Sequence, residues 1–239
     1  MNDIVEVQAS RRHSRLPAWL LALRPRHWVK NVLVLVPLAA ARQLGDFTLL
    51  GRVAMAFAAF SLCASGLYVL NDLFDLEADR SHPSKRRRPL ASGEMARTTA
   101  FAVIAVMWLA SGLIAVRLGA AFAGVLAAYV VLMIAYSMRL KHVVLLDALL
   151  LAAGYSARIA AGAVAVAILP STWLIAFSLF LFYSLALIKR YAELTHNRDR
   201  QGPSAHARGY EAVDLPVVAM SGIASGYLAV LVLAMYLTS

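Results

Sequence analysis

Cysteine is nearly absent from this chain: Cys63 is the one thiol in 239 residues. A single thiol builds no disulfide framework, and no histidine cluster at ligand spacing joins it, so a structural zinc site is excluded as well. Acidic residues are scarce, 13 against 23 Lys and Arg. Charged residues make up 15% of the chain, well below the ~25% of an ordinary soluble domain. The glycine-rich phosphate loops, G-x-G-x-x-G after a strand and G-x-x-x-x-G-K-[ST], are missing. No Ser-His-Asp arrangement stands out. Residues 1–20 lack the apolar core of a secretory signal and read as a polar, basic cytoplasmic tail. No linker divides the rest, so residues 21–239 read as one domain.

What is present is apolar: 61% of residues are hydrophobic. Long apolar runs predict an all-α, polytopic transmembrane bundle of about seven spans, near 28–44, 53–72, 98–116, 119–137, 143–168, 172–189 and 216–237. Lys and Arg gather in alternate connections. Arg24, Arg26 and Lys30 precede the first span. Arg80, Lys85, Arg86, Arg87 and Arg88 follow the second. Arg139 and Lys141 follow the fourth, and Lys189, Arg190, Arg198, Arg200 and Arg208 follow the sixth. The opposite connections hold Arg42, Arg52 and Arg117. The positive-inside rule then puts the N-terminus in the cytoplasm. The formal charge of +10 follows membrane topology, which argues against nucleic acid as the partner.

The most informative stretch runs N-D-L-F-D-L-E-A-D-R-S-H-P-S-K-R-R-R-P, from Asn71 to Pro89. It follows directly on the second span. Asn71, Asp75 and Asp79 recur every four residues and share one face of a continuing helix. Hard oxygen ligands in that pattern suit Mg²⁺ held together with substrate phosphates. Asp72 and Glu77 project from other faces and read as bland. Arg80, Lys85 and Arg88 suit the phosphates, with Pro83 and Pro89 fixing the loop around the last two. His82 reads as a loop hydrogen-bonder.

Four further groups sit at the same membrane face. Lys30 and Asn31 open the first span beside Trp28, read as an interfacial anchor. Tyr136 and Lys141 close the fourth. Asp147 and Arg158 lie about three helical turns apart in the fifth, on one face. An ionisable residue inside a span marks a functional site by default. The structural alternative for Arg158 is a buried ion pair with Glu193, Asp147 or the first carboxylate cluster. Lys189, Arg190 and Glu193 end the sixth span. Polar residues collected at one interface favour an enzyme. A transporter, with intramembrane Asp and Arg as permeation residues, is the reading from another class, and broken helices at mid-membrane would favour it.

These residues resemble the UbiA superfamily of intramembrane prenyltransferases, whose signature N-D-x-x-D-x-x-x-D matches Asn71, Asp72, Asp75 and Asp79. The longer string through H-P-x-K-x-x-R-P is similar to the branch containing decaprenyl-phosphate phosphoribosyltransferase. So are R-P-R-H-W-V-K-N at Arg24–Asn31, Y-S-x-R-L-K-H at Tyr136–His142 and K-R-x-A-E-L at Lys189–Leu194. The resemblance covers residues 20–215. It implies an active site at the cytoplasmic membrane face, in a bacterial inner-membrane protein. It also implies Mg²⁺-dependent transfer of 5-phosphoribose from phosphoribosyl diphosphate to a polyprenyl phosphate, feeding lipid-linked pentose donors for cell-envelope synthesis. Asn71, Asp75 and Asp79 would hold the metal. Lys30, Asn31, Arg80, Lys85, Arg88, Tyr136, Lys141, Asp147, Arg158, Lys189, Arg190 and Glu193 would bind substrate.

Two departures stand out. Aromatic prenyltransferases carry a second aspartate-rich motif after the sixth span, where this chain reads K-R-Y-A-E-L-T-H-N-R-D-R. Relatives are expected to have nine spans, so this chain is expected to lack the last two. Aromatic prenyl transfer for quinone synthesis stays open as the alternative enzyme, and homo-oligomerisation stays open too.

Overall fold

The computed structural model describes residues 17–169, 171–199 and 209–238. The tail before residue 17 and the stretch 200–208, with Arg200 and Arg208, lie outside the described residues, as does the side chain of Arg198. Among the described residues every regular element is helical. A short α1 (Ala18–Ala22) leads into a 3₁₀ helix over Pro25–Leu35 and then α2 (Val36–Ala40). The longer helices are α3 (Phe47–Phe74), α5 (Arg97–Leu118), α6 (Ala120–Met138), α7 (Leu146–Ala165), α8 (Thr172–Asp199) and α9 (Leu215–Thr238), with a short α4 (Leu76–Ser81) after α3. Those six longer helices are long and apolar enough to cross a membrane.

The first expected span is built differently from the others. It is not among the six helices long and apolar enough to cross; its stretch begins inside the eleven-residue 3₁₀ helix Pro25–Leu35 and continues through the five residues of α2. At ~2.0 Å and ~1.5 Å rise per residue the two pieces reach roughly 30 Å, the thickness of the hydrocarbon core. An α-helix of the same residues would reach only about 24 Å. The thin segment also allows close packing: a Cβ at Gly162 would collide with the Val34 carbonyl, so α7 lies directly against this backbone.

α3 and α7 are the inner helices. About 61% of the apolar window of each is buried, against 17–22% for the other four. One core cluster joins α2, α3, α5, α6 and α7 around Leu38, Phe60, Phe122, Tyr129 and Ala161. Another pins the basic loop after α4, seating Leu90 and Met95 on Val69, Leu76 and Ala100. A third joins α7, α8 and α9 through Ala148, Leu187, Tyr210 and Val218. At the far end Arg52 donates to the carbonyls of Ala165 at 2.5 Å and Leu118 at 3.3 Å. It thereby satisfies orphan acceptors where α7 and α5 finish.

At 28 residues, α3 is ~42 Å long and outruns the hydrocarbon. Its last turns therefore stand at the interface, carrying the carboxylate row with them. Chain direction accounts for the rest of the arrangement. The ends of α3, α6 and α8 meet the starts of α5 and α7 at one end of the bundle, as the charge pattern requires.

Candidate active site

α3 gives way to α4 at Asp75, whose φ of −91° and ψ of 8° depart from helical values. The turn survives the change. Asp75 N–H donates to Asn71 C=O at 2.9 Å, and Asp79 N–H to Asp75 C=O at 2.8 Å. Asn71, Asp75 and Asp79 thus keep one face, and all three line a cavity of about 640 Å³. Asn71 Nδ2 donates to Asp75 Oδ2 at 3.0 Å. Lys141 Nζ, from the connection after α6, donates to Asp75 Oδ1 at 2.7 Å.

Asp79 is buried, 1% exposed. Arg88 Nη1 holds its Oδ2 at 2.5 Å. Its Oδ1 is buried with no hydrogen-bond donor, and Lys85 Nζ stops 4.0 Å away. A buried carboxylate oxygen without a donor is costly and is a natural position for a cation. No group of three or more His, Cys, Asp or Glu side chains is placed for a metal among the described residues. Any Mg²⁺ here would thus complete its shell from substrate phosphate and water, which is its usual habit. On that count Asp75, Asp79 and Asn71 fit a metal.

Asp72 is the residue that sequence reasoning misjudged. It is not bland but buried, and it accepts from Arg24 Nη2 at 2.6 and 2.9 Å and from Arg88 Nη1 at 3.0 Å. Arg88 therefore bridges Asp72 and Asp79. Asp72 fixes the guanidinium that faces the cavity. The available signal was depth: a carboxylate two residues past an apolar Leu-Tyr-Val-Leu run needs a partner. Arg24 reaches it from a left-handed backbone position, φ +52°, just before the 3₁₀ helix. Glu77 is exposed and pairs with Arg80 and Arg97. Arg80 thus stands outside the cavity. His82 Nδ1 accepts from Ser84 N–H at 3.3 Å and Lys85 N–H at 3.4 Å and shapes the loop.

Deeper in the cavity lies Arg158. Among the described residues no carboxylate meets it. Its Nε donates to Asn31 Oδ1 at 2.7 Å, Nη1 to Gly154 C=O at 2.5 Å and Nη2 to Tyr129 Oη at 2.9 Å. The rings of Tyr129, Tyr155 and Phe60 surround the guanidinium. Asn31 is fully buried, donates to Ser61 at 3.0 Å and orients Arg158 from behind the wall. Lys30 lines the cavity beside the Tyr155 ring, 5.8 Å from its centroid. Trp28 is partly buried; its indole N–H donates to Ser65 at 3.0 Å, and Ser65 donates to Leu23 C=O. Tyr136 lines the cavity as well.

Asp147, Arg190 and Glu193 form a separate network beside the cavity rather than in its wall. Arg190 Nε donates to Asp147 Oδ2 at 2.7 Å, and Nη1 to Glu193 Oε2 at 2.6 Å. Tyr210 donates to the other Asp147 oxygen and accepts from Leu145 N–H at 2.9 Å. Burial first, and the Asp147 hydrogen bond next, push the Tyr210 phenol up, so it stays protonated and donating. Gly209, at φ +72°, is pressed so close to His142 C=O that a Cβ would collide with it. Together, Gly209 and Tyr210 hook the segment before α9 onto the connection that carries Lys141. Sequence reasoning did not single out Tyr210, because nothing local distinguishes it. Lys189 is 73% exposed and pairs with Glu193 at 3.9 Å, outside the cavity.

Comparison with known proteins places this geometry. The model of the UbiA prenyltransferase family matches residues 31–239. The nodulation protein NoeC of Azorhizobium caulinodans is 40% identical over 215 residues, 90% of this chain and 70% of that protein. The decaprenyl-phosphate phosphoribosyltransferase of Mycolicibacterium smegmatis is 40% identical over 177 residues, 72% of this chain and 56% of that protein. The chain spans from 42% to 70% of the length of the curated relatives it matches. The solved structure of a UbiA homolog from Archaeoglobus fulgidus bound to GPP and Mg²⁺ superposes with a TM-score of 0.75 at 17% identity. It covers 93% of this chain and 78% of that one.

Proposed function

The chain belongs to the UbiA prenyltransferase family, and from that premise we propose that it transfers 5-phosphoribose from phosphoribosyl diphosphate to a polyprenyl phosphate at the cytoplasmic face of a bacterial inner membrane. One observation carries the reading. The cavity wall holds two carboxylates, Asp75 and Asp79, against six cations: Arg24, Lys30, Lys85, Arg88, Lys141 and Arg158. A diphosphate that also bears a phosphate monoester, reacting with a phosphorylated lipid, needs that excess. A prenyl diphosphate joined to a singly charged aromatic acid such as 4-hydroxybenzoate brings fewer negative charges. The end of α8 agrees, because Glu193 there is held by the guanidinium of Arg190.

Asp75 and Asp79, with Asn71, would hold Mg²⁺. The bound ion would neutralise the diphosphate and stabilise its departure. Lys85, Arg88 and Lys141 line the same end of the cavity and would meet the remaining charge on the leaving group. Lys141 and Arg88 are already fixed on the carboxylates, so they need little reorganisation as charge develops. The acceptor phosphate is an anion at neutral pH and needs no strong general base. Catalysis would come from positioning and charge stabilisation.

The test is a donor screen on purified protein. Phosphoribosyl diphosphate with a short polyprenyl phosphate should give a ribosylated lipid only with Mg²⁺, and EDTA should stop it. Transfer of geranyl from geranyl diphosphate to 4-hydroxybenzoate, with no ribosyl transfer, would overturn the proposal.

A further inference from the structure

We infer that Lys30, Arg158 and the Tyr129 and Tyr155 walls form an inner subsite for a phosphate monoester dianion, separate from the Asp75–Asp79 end. The inference deepens the proposed phosphoribosyl transfer and rests on it for the identity of the ligand. The cavity has two electrostatic zones. At its mouth, every carboxylate is matched by a cation: Asp75 by Lys141, Asp79 by Arg88. In its inner part, among the described residues, no carboxylate lies within ion-pair reach of Lys30 or Arg158.

Depth makes this imbalance costly. Arg158 lies about three helical turns, ~16 Å, along α7 from Asp147 and is 5% exposed. A guanidinium at that depth normally has a counter-charge. Here its three hydrogen bonds all go to neutral oxygens, of Asn31, Gly154 and Tyr129. The aromatic rings around it offset part of the charge but do not neutralise it. Of the five guanidinium N–H groups, one on each terminal nitrogen meets no protein acceptor among the described residues. Arg158 and Lys30 both line the cavity. Two uncompensated cations, one with its fork fixed from behind by Asn31, make a receptor for a small, doubly charged oxyanion.

Two phosphate monoesters meet this description: the head of the lipid acceptor and the 5-phosphate of the donor. Because the subsite holds no carboxylate, its phosphate binding should be independent of Mg²⁺, unlike that of a diphosphate at the mouth. Calorimetry on the full chain in detergent with EDTA, using farnesyl phosphate, ribose 5-phosphate and farnesol, reads this directly. We expect at least one of the two phosphates to bind and farnesol to bind at least tenfold more weakly. Lys30→Gln should weaken that binding about tenfold or more, as expected for one lost charge-assisted contact. Arg158→Lys, which keeps the charge but not the fork, should weaken it less than Arg158→Gln. Arg97→Gln removes an exposed charge elsewhere and should leave it unchanged. Lys30 is only half-buried, so its replacement keeps the test sound if Arg158 variants fail to fold.

Farnesyl phosphate binding that ribose 5-phosphate does not displace assigns the subsite to the acceptor. The reverse assigns it to the donor. Phosphate binding that Lys30→Gln leaves intact, or no binding of either phosphate in EDTA, overturns the inference. Ribosyl transfer is scored separately. Its absence with phosphate binding retained counts against the proposed reaction alone. Its presence, with neither phosphate bound in EDTA, counts against the subsite alone.

Discussion

Replacing Asp72 with Asn separates a positioning role from metal binding within one motif. The structure gives Asp72 two cationic partners, Arg24 at 2.6 Å and Arg88 at 3.0 Å, and no place in the cavity wall. Removing one partner of a fully buried ion pair costs roughly 3–5 kcal/mol. That figure is too large here, because the side chains of Arg24 and Arg88 are 24% and 26% exposed and water reaches them. The amide still accepts a hydrogen bond from each arginine. A loss nearer 1–3 kcal/mol is therefore expected. As transition-state stabilisation this is a fall in kcat/KM of about five- to 150-fold. Arg88 would keep its contact to Asp79, so the metal requirement should persist. The assay is transfer measured across a Mg²⁺ titration for wild type, Asp72→Asn and Asp79→Asn. Asp72→Asn should lower kcat/KM with the Mg²⁺ midpoint within about twofold of wild type, whereas Asp79→Asn should lose turnover at every Mg²⁺ concentration. An Asp72→Asn protein as dead as Asp79→Asn, or one indistinguishable from wild type, would refute the reasoning.

Other outcomes follow from the same geometry. Asp75→Asn should also abolish turnover, and full activity in it at saturating Mg²⁺ would remove Asp75 from the site. Lys141→Ala should weaken donor binding about tenfold or more, while Lys189→Ala, outside the cavity, should change it less than twofold; calorimetry reads both, and the opposite ranking would place the donor at the end of α8. Tyr210→Phe loses the hydrogen bonds to Asp147 and Leu145 and should raise the donor KM more than it lowers kcat, because it acts through the Lys141 connection; equal loss in an Asp147→Asn protein would support a single hook. Single cysteines at Ser84 and Ser137 should react with an impermeant thiol reagent from the cytoplasmic side, and one at Leu44 from the other; labelling of Ser84 from outside would invert the topology.

Much of the architecture is written locally. Apolar run length specifies six of the spans, since each is an α-helix whose own backbone satisfies its polar groups in lipid. The four-residue spacing of Asn71, Asp75 and Asp79 specifies a shared face, because the i to i−4 bonds continue through the break at Asp75. Alternation of Lys and Arg specifies which connections gather at one end. These are short-range properties, and the family resemblance of the motifs rests on the same residues.

Only the tertiary structure decides which charges meet. Asp72 and Asp75 differ by three positions and look alike in sequence, yet one is enclosed by Arg24 and Arg88 while the other faces the cavity. Asp147 and Arg158 share a helix, yet Asp147 pairs with Arg190 and Tyr210, and Arg158 finds no carboxylate among the described residues. The segment before α3 is mostly 3₁₀, and its Val34 backbone lies directly against Gly162 of α7. Each of these outcomes depends on contacts between residues far apart in the chain, and spacing along one helix carries no record of what the neighbouring helix presents.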